Sequence, residues 1–175
     1  KTRIMFPQGR NDFKEIVTNY YYIDKTLFIQ EWWYSSDFIS LFARPRCFGK
    51  TLCMSCVDYF FSDRYYNTRN LFENLEISKC HEIMKLQGQF PVIFLSFSDL
   101  MNDDPITVIK QIKYKIWQVY LTFKDRLKKS DKIDDSEKSF IDLISYEMDD
   151  MIAVISIQSL CIFLNKIYVK YLEFR

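Results

Sequence analysis

Gly49, Lys50 and Thr51 stand together where one apolar run ends and another begins, and their types suit the handling of an anion. A nucleotide phosphate needs backbone N–H donors converging at a helix N-terminus, where the partial positive charge favours it. In such a site Gly49 would permit close approach of the backbone, Lys50 would reach the outer phosphates, and the Thr51 hydroxyl would coordinate Mg²⁺. Arg44 and Arg46 add positive charge beside Lys50. The triplet by itself is a weak signal, since a basic turn that caps a helix would use the same residues. The usual phosphate loop also opens on a glycine five residues before the second one, and here that position is Arg44, followed by Pro45.

Other groups able to do chemistry have simpler readings. Cys53 and Cys56 form C-x-x-C, with Cys47 before them and Cys80-His81 after. Inside a helix, i and i+3 share a face, and two thiols there pack as small hydrophobes. A zinc site would need two further ligands, and a redox pair belongs at a helix start in a different βαβ setting. His81 is the only histidine, so any Ser-His-Asp or Cys-His mechanism would rest on it alone, and its polar neighbours place it at the surface. The aromatics Tyr20, Tyr21, Tyr22, Trp32, Trp33 and Tyr34 could stack a base, but core and interface packing accounts for most of them.

The elements that must position Gly49 to Thr51 follow from the flanking patterns. Phe38 to Ala43 is short, apolar and β-prone, which predicts a buried strand, and Pro45 ends it by disfavouring helix at Arg44. From Lys50 to Phe61 helix formers return, with apolar residues around most of the circumference. Before the strand, Asp24 is expected to cap a short helix running to about Trp33. Residues 62–90 read as irregular and polar, anchored by Leu71, Phe72, Leu75 and Ile77, and Pro91 to Phe97 as a second buried strand. Asp103-Asp104-Pro105 opens a helix carrying Ile109, Ile112, Ile116, Val119, Tyr120, Phe123 and Leu127 at helical spacing. The mixed-charge run 124–138 predicts a helix end and a solvated linker, followed by helices over about 139–150 and 156–172. This order predicts an α/β layered domain with a small parallel sheet and a mainly helical C-terminal part.

Composition bounds the rest. With 49% hydrophobic and 18% aromatic residues but only 3 glycines and 4 prolines, the chain is neither disordered nor collagen-like. Its 175 residues suit one domain, or part of one. A balance of 24 basic against 23 acidic residues supplies no global field for nucleic acid or an anionic membrane. Met151 to Leu164, the longest apolar stretch, is interrupted by Ser156, Gln158 and Ser159 and is too short to cross a bilayer. An odd count of 5 cysteines points to reduced thiols and a cytoplasmic setting.

Taken together, Tyr21-Tyr22-Ile23-Asp24-Lys25-Thr26, the loop Ala43 to Leu52, Phe60-Phe61, Leu71 to Leu75 and Pro91 to Phe97 resemble the AAA-ATPase-like family. In that family a YYVDKT-like segment precedes an RPRRFGK[ST] phosphate loop. The resemblance has distinct motifs over roughly residues 8–98 and continues more weakly beyond them. It implies a P-loop NTPase-like domain over 1–175, with ATP and Mg²⁺ as ligands, Arg44, Pro45, Arg46, Cys47, Phe48, Gly49, Lys50 and Thr51 as the nucleotide-binding loop, and Thr51 as the metal ligand. It also accounts for the Arg-Pro-Arg entry that replaces the first glycine. Cys47 departs from the arginine expected there.

The resemblance further implies an apolar strand ending in an Asp-Glu-Tyr-Asp-like sequence, which would hold Mg²⁺ and orient water. This sequence does not contain it. Asp99 follows an apolar run but belongs to an earlier strand in family order, and Asp149-Asp150 has a helical context. The chain is therefore expected to end before that strand, as the front portion of a domain, with catalytic residues unassigned and ATPase activity dependent on the missing part. The competing expectation is a non-catalytic module whose exposed aromatic and unpaired sheet surfaces bind a protein partner or a second copy.

Overall fold

Asp12, Asp104 and Asp134 each stand before a helix and accept hydrogen bonds from N–H groups of its first turn: Asp12 from Glu15, Asp104 from Ile106 and Thr107, Asp134 from Glu137. An acceptor there satisfies donors the helix cannot pair internally, which is why these three positions start helices. In a computed structural model that describes residues 6–7, 9–37, 39–43, 45, 48–100 and 104–168, the helices are α1 (Phe13–Asn19), α2 (Leu27–Ser35), α3 (Lys50–Phe61), α4 (His81–Met84), α5 (Pro105–Lys129), α6 (Asp135–Leu143) and α7 (Asp150–Tyr168). Two 3₁₀ segments, Asp63–Phe72 and Glu76–Lys79, lie between α3 and α4. The chain divides into two compact units, Lys1–Val92 and Ile93–Phe174.

The first unit is built on aromatic packing. Phe13 of α1 stacks on Phe72 at 4.9 Å between ring centroids, and Phe60 of α3 meets the same Phe72 edge-on at 5.1 Å. Trp33 of α2 stacks on Phe61 at 5.5 Å. Phe13, Phe60 and Phe72 are fully buried, as are Ile29 and Ile77. Full burial of such a side chain contributes roughly 1.5–3 kcal/mol, so this cluster fixes where α3 lies.

The second unit packs α5 against α6 and α7. Ile116, Tyr120, Phe123 and Leu127 line one face of α5 and bury against Ile141 of α6 and Leu160 and Leu164 of α7. Ile109, expected on the same stripe, is 45% exposed because the apolar core begins a turn later. Tyr120 donates its hydroxyl to the Ser156 carbonyl at 2.6 Å. Helix α7 has 19 residues and a window of mean hydropathy 1.6, so by length and composition it is able to cross a membrane, unlike the shorter stretch read from sequence. Its Ser156, Leu160, Phe163 and Leu164 are nonetheless buried in this unit's core.

The expected layered α/β architecture with a parallel sheet is not what the described residues form. They contain no strand, and the sole pairing of strand type is an isolated parallel bridge between Ser62 and Phe90. A β-prone run becomes a strand only when a neighbour satisfies its backbone groups, and neither run has one. Ile39 and Leu41 are 90% and 88% exposed, so this segment does not bury as a core strand would. It is held instead by α2, where the Trp32 indole donates to Ser40 Oγ at 3.0 Å and Phe28 meets Phe42 edge-on. Phe38, Arg44, Arg46 and Cys47 lie outside the described residues.

Element boundaries differ as well. The Asp134–Glu137 capping box starts α6 at Asp135, ahead of the expected 139, and it ends at Leu143. Helix α7 begins at Asp150, six residues before the expected start. Helix α1 was not anticipated at all, although Asp12 and Glu15 carry the spacing of an N-terminal cap.

Candidate phosphate-binding loop

Gly49 is the N-cap of α3 and has φ 76° and ψ 17°, in the left-handed region. An L-residue pays roughly 1–2 kcal/mol there, which is the physical reason for glycine at this position. A Cβ built on Gly49 would meet nothing within 4 Å, so the space above the backbone is open. The Gly49 carbonyl accepts from the Cys53 N–H at 2.9 Å and closes the first turn of α3. Glycine contributes no side chain to cap that turn, and the first-turn donors of a helix have no intrahelical acceptors.

Lys50 is the first residue of α3, and its ammonium turns back across the loop to donate to the Pro45 carbonyl at 2.8 Å. Thr51 is partly buried in the same turn, and its hydroxyl has no hydrogen-bond partner among the described residues. Phe48 is 64% exposed. Of the eight loop residues expected to bind nucleotide, the structure therefore gathers Pro45, Phe48, Gly49, Lys50 and Thr51 at one end of α3. Arg44, Arg46 and Cys47 lie outside the described residues.

Helix α3 is anchored along its length. The Phe13 N–H donates to Ser55 Oγ at 3.0 Å, and Tyr59 donates to Asp12 Oδ2 at 2.9 Å. At its far end the Phe60 and Phe61 carbonyls accept from Gly88 and Phe90. Asp58, almost fully buried, pairs with Arg64 at 2.7 Å, and Arg64 also donates to Ser62 Oγ. Burial pushes the Asp58 carboxyl up, while the Arg64 guanidinium pulls it down.

The segment Tyr22 to Thr26 makes a strap beside α3. Asp24 Oδ1 accepts from the Thr26 N–H at 2.8 Å and the Thr26 hydroxyl at 2.7 Å. Its Oδ2 accepts from the Glu76 N–H at 2.6 Å. The buried Thr26 hydroxyl in turn accepts from Ile77 N–H at 3.2 Å. Asp24 therefore does not cap α2 as expected: the N-cap is Thr26, and Asp24 ties the strap to the second 3₁₀ segment. Tyr22 packs against the buried cluster that contains Cys56 of α3. Burial, reinforced by its neighbours, holds the Tyr22 phenol far above its ordinary range; burial likewise pushes up Cys53 and, more strongly, Cys56. Both thiols are thus held protonated beside α1 and the strap. Among the described residues no group of three or more His, Cys, Asp or Glu side chains is disposed to hold a metal ion.

A family model described as Predicted AAA-ATPase matches residues 7–159. The chain belongs to the AAA-ATPase-like family. No curated protein and no solved structure matches it. The match covers both the strap and the loop in one continuous stretch. Sequence reasoning missed the clamp, although Asp24 two residues before Thr26 is the spacing at which a carboxylate bonds nearby backbone. Asp99, the one acid considered for metal, lies in the second unit, paired with Lys115 at 3.5 Å. Tyr20, Tyr21 and Tyr22 line an open groove of about 400 Å³ with Asn70 and Asn74, while Tyr22 also packs edge-on against Phe13.

Proposed function

We propose that this AAA-ATPase-like chain binds the phosphates of Mg-ATP at the N-terminus of α3. The observation that carries the reading is the left-handed Gly49 at the α3 N-cap, with open space above it and the Lys50 ammonium folded over the loop. A phosphate seated there would accept from first-turn N–H groups and draw on the helix dipole. Lys50 would exchange the Pro45 carbonyl for a phosphate oxygen, a stronger partner because it is charged. The Thr51 hydroxyl would help hold Mg²⁺, whose charge would offset that of the phosphates. These residues fit the ligand by type and position. Hydrolysis is outside the proposal, because this sequence does not contain the Asp-Glu-Tyr-Asp-like run whose carboxylates would hold Mg²⁺ and orient water.

Calorimetry of Mg-ATP binding tests this. Wild type should bind, and Lys50→Ala should lose about tenfold or more in affinity. No binding by wild type, or equal affinity in the variant, would overturn the reading. A second reading, a protein-contact module, is favoured by the exposure of Ile39, Leu41 and Phe42 in one short segment. Sedimentation showing concentration-dependent self-association, together with no nucleotide binding, would favour it.

A further inference from the structure

We infer that the exposed face of α7 is the seam of an antiparallel pair formed with a second copy of this chain. Helix α7 is apolar around most of its circumference, yet its buried residues are Ser156, Leu160, Phe163 and Leu164. Met151, Val154, Ile155, Cys161 and Ile162 all stand in solvent, Met151 and Val154 at 71% and 76% exposure. At about 100° per residue these five fall within about 60° on either side of Gln158, itself exposed. They form one continuous stripe about three turns long. A contiguous apolar face of this kind marks a surface that something else covers.

Pattern and charge both select a second copy. The stripe is nearly palindromic about Gln158, with Val154 and Ile162 four residues to either side and Ile155 and Cys161 three. A two-fold axis at Gln158 therefore sets Val154 of one copy level with Ile162 of the other, and Ile155 level with Cys161, apolar against apolar as an isologous contact requires. The Gln158 amide has no hydrogen-bond partner among the described residues, and across the axis it would donate to and accept from its counterpart. Charge fixes the direction. The N-terminal end of α7 carries exposed Glu147, Asp149 and Asp150, with Lys113 at 2.6 Å from Asp150. At the other end Lys166 stands in the last turn beside Glu137, Arg126 donates to the Tyr168 hydroxyl at 3.0 Å, and Lys132 donates to the Ile167 carbonyl at 3.2 Å. An antiparallel pair sets acidic end against basic end twice and opposes the helix dipoles, whereas a parallel pair would place like charges together.

The test is sedimentation equilibrium of the full chain, wild type and Val154→Glu, the far-ultraviolet circular dichroism of the two being matched first. Val154 is 76% exposed, so the substitution leaves the core of its unit untouched. Wild type should associate reversibly to a dimer, and V154E should weaken the association by about tenfold or more, because it buries a charge in the seam. Direction is read from disulfide formation under copper–phenanthroline oxidation in a Cys161→Ser background. Gln158→Cys lies on the axis and should cross-link. Val154→Cys, about 12 Å from its counterpart along the helix, should not. A monomeric wild type, a dimer that V154E leaves unchanged, or cross-linking of V154C as fast as that of Q158C would overturn the inference. So would a monomer that floats with phosphatidylcholine vesicles, since lipid would then be the occupant of the face.

Discussion

Replacing Asp24 with alanine should destabilise the first unit by about 1.5–4 kcal/mol. The Thr26 hydroxyl is fully buried and donates only to Asp24 Oδ1, at 2.7 Å. Without that acceptor it becomes a buried unsatisfied donor, costing about 1–3 kcal/mol. The Thr26 and Glu76 N–H groups also lose a charged acceptor at 2.8 and 2.6 Å. They lie nearer water, so their loss is smaller, about 0.5–1 kcal/mol together. Asp24→Asn retains one carbonyl oxygen for Thr26 and should cost only about 1 kcal/mol. The assay is urea denaturation followed by tryptophan fluorescence in a Trp117→Phe background. Trp32 and Trp33 then report the first unit alone, through their contacts with Phe61. The D24A midpoint should fall by about 1–2 M. A loss under about 0.5 kcal/mol, or an equal loss in D24N, would refute the clamp as the bond that holds the strap.

Two further outcomes follow from buried polar groups. Arg64→Ala leaves Asp58 buried without its cation and should cost about 3 kcal/mol near neutral pH. Burial already raises the Asp58 pKa and Arg64 opposes it, so the variant's folded-state value rises further. The native state then takes a proton more readily than the unfolded chain. Stability is therefore lost as pH climbs from the unfolded Asp value of about 3.9 through the raised folded value. The R64A deficit should shrink on acidification, measured by urea denaturation at several pH values; a deficit independent of pH would contradict this. Tyr120→Phe removes the 2.6 Å bond to the Ser156 carbonyl and should lower the stability of the second unit by about 1 kcal/mol, read from Trp117 fluorescence; no loss would show the bond to be worth nothing net.

Local signals were legible where the chemistry is local. Asp104 before Pro105, followed by an apolar period of three and four, starts α5 because cap, proline and stripe all act within one helix. The geometry at the start of α3 is local in the same way: Gly49 needs no distant partner to occupy the left-handed region, and Lys50 reaches the Pro45 carbonyl five residues back. Strand expectations failed at residues 38–43 and 91–97 because composition reports β-propensity, whereas a strand depends on a ladder partner far away in sequence. The described part of the first run keeps exposed Ile39 and Leu41 with side-chain ties to α2 in place of a ladder.

The strap shows the other kind of illegibility. Asp24 and Thr26 read from sequence as a helix start, and their local geometry does resemble one. What they hold, however, is Glu76 and Ile77, some fifty positions away. No periodicity encodes that contact. The strap and the loop are separated by under twenty residues in the chain, yet both are held by α3, one through the cluster in which Tyr22 packs with Cys56 and the other through Gly49 at the helix start. Helix α3 is thus the common support for both, and the aromatic contacts of Phe60 and Phe61 that bury its far half hold the Gly49 end in place. A site whose geometry depends on such packing should fail through loss of the core as readily as through loss of Lys50, so a lost affinity in Lys50→Ala bears on the site only where the far-ultraviolet circular dichroism of the variant matches wild type.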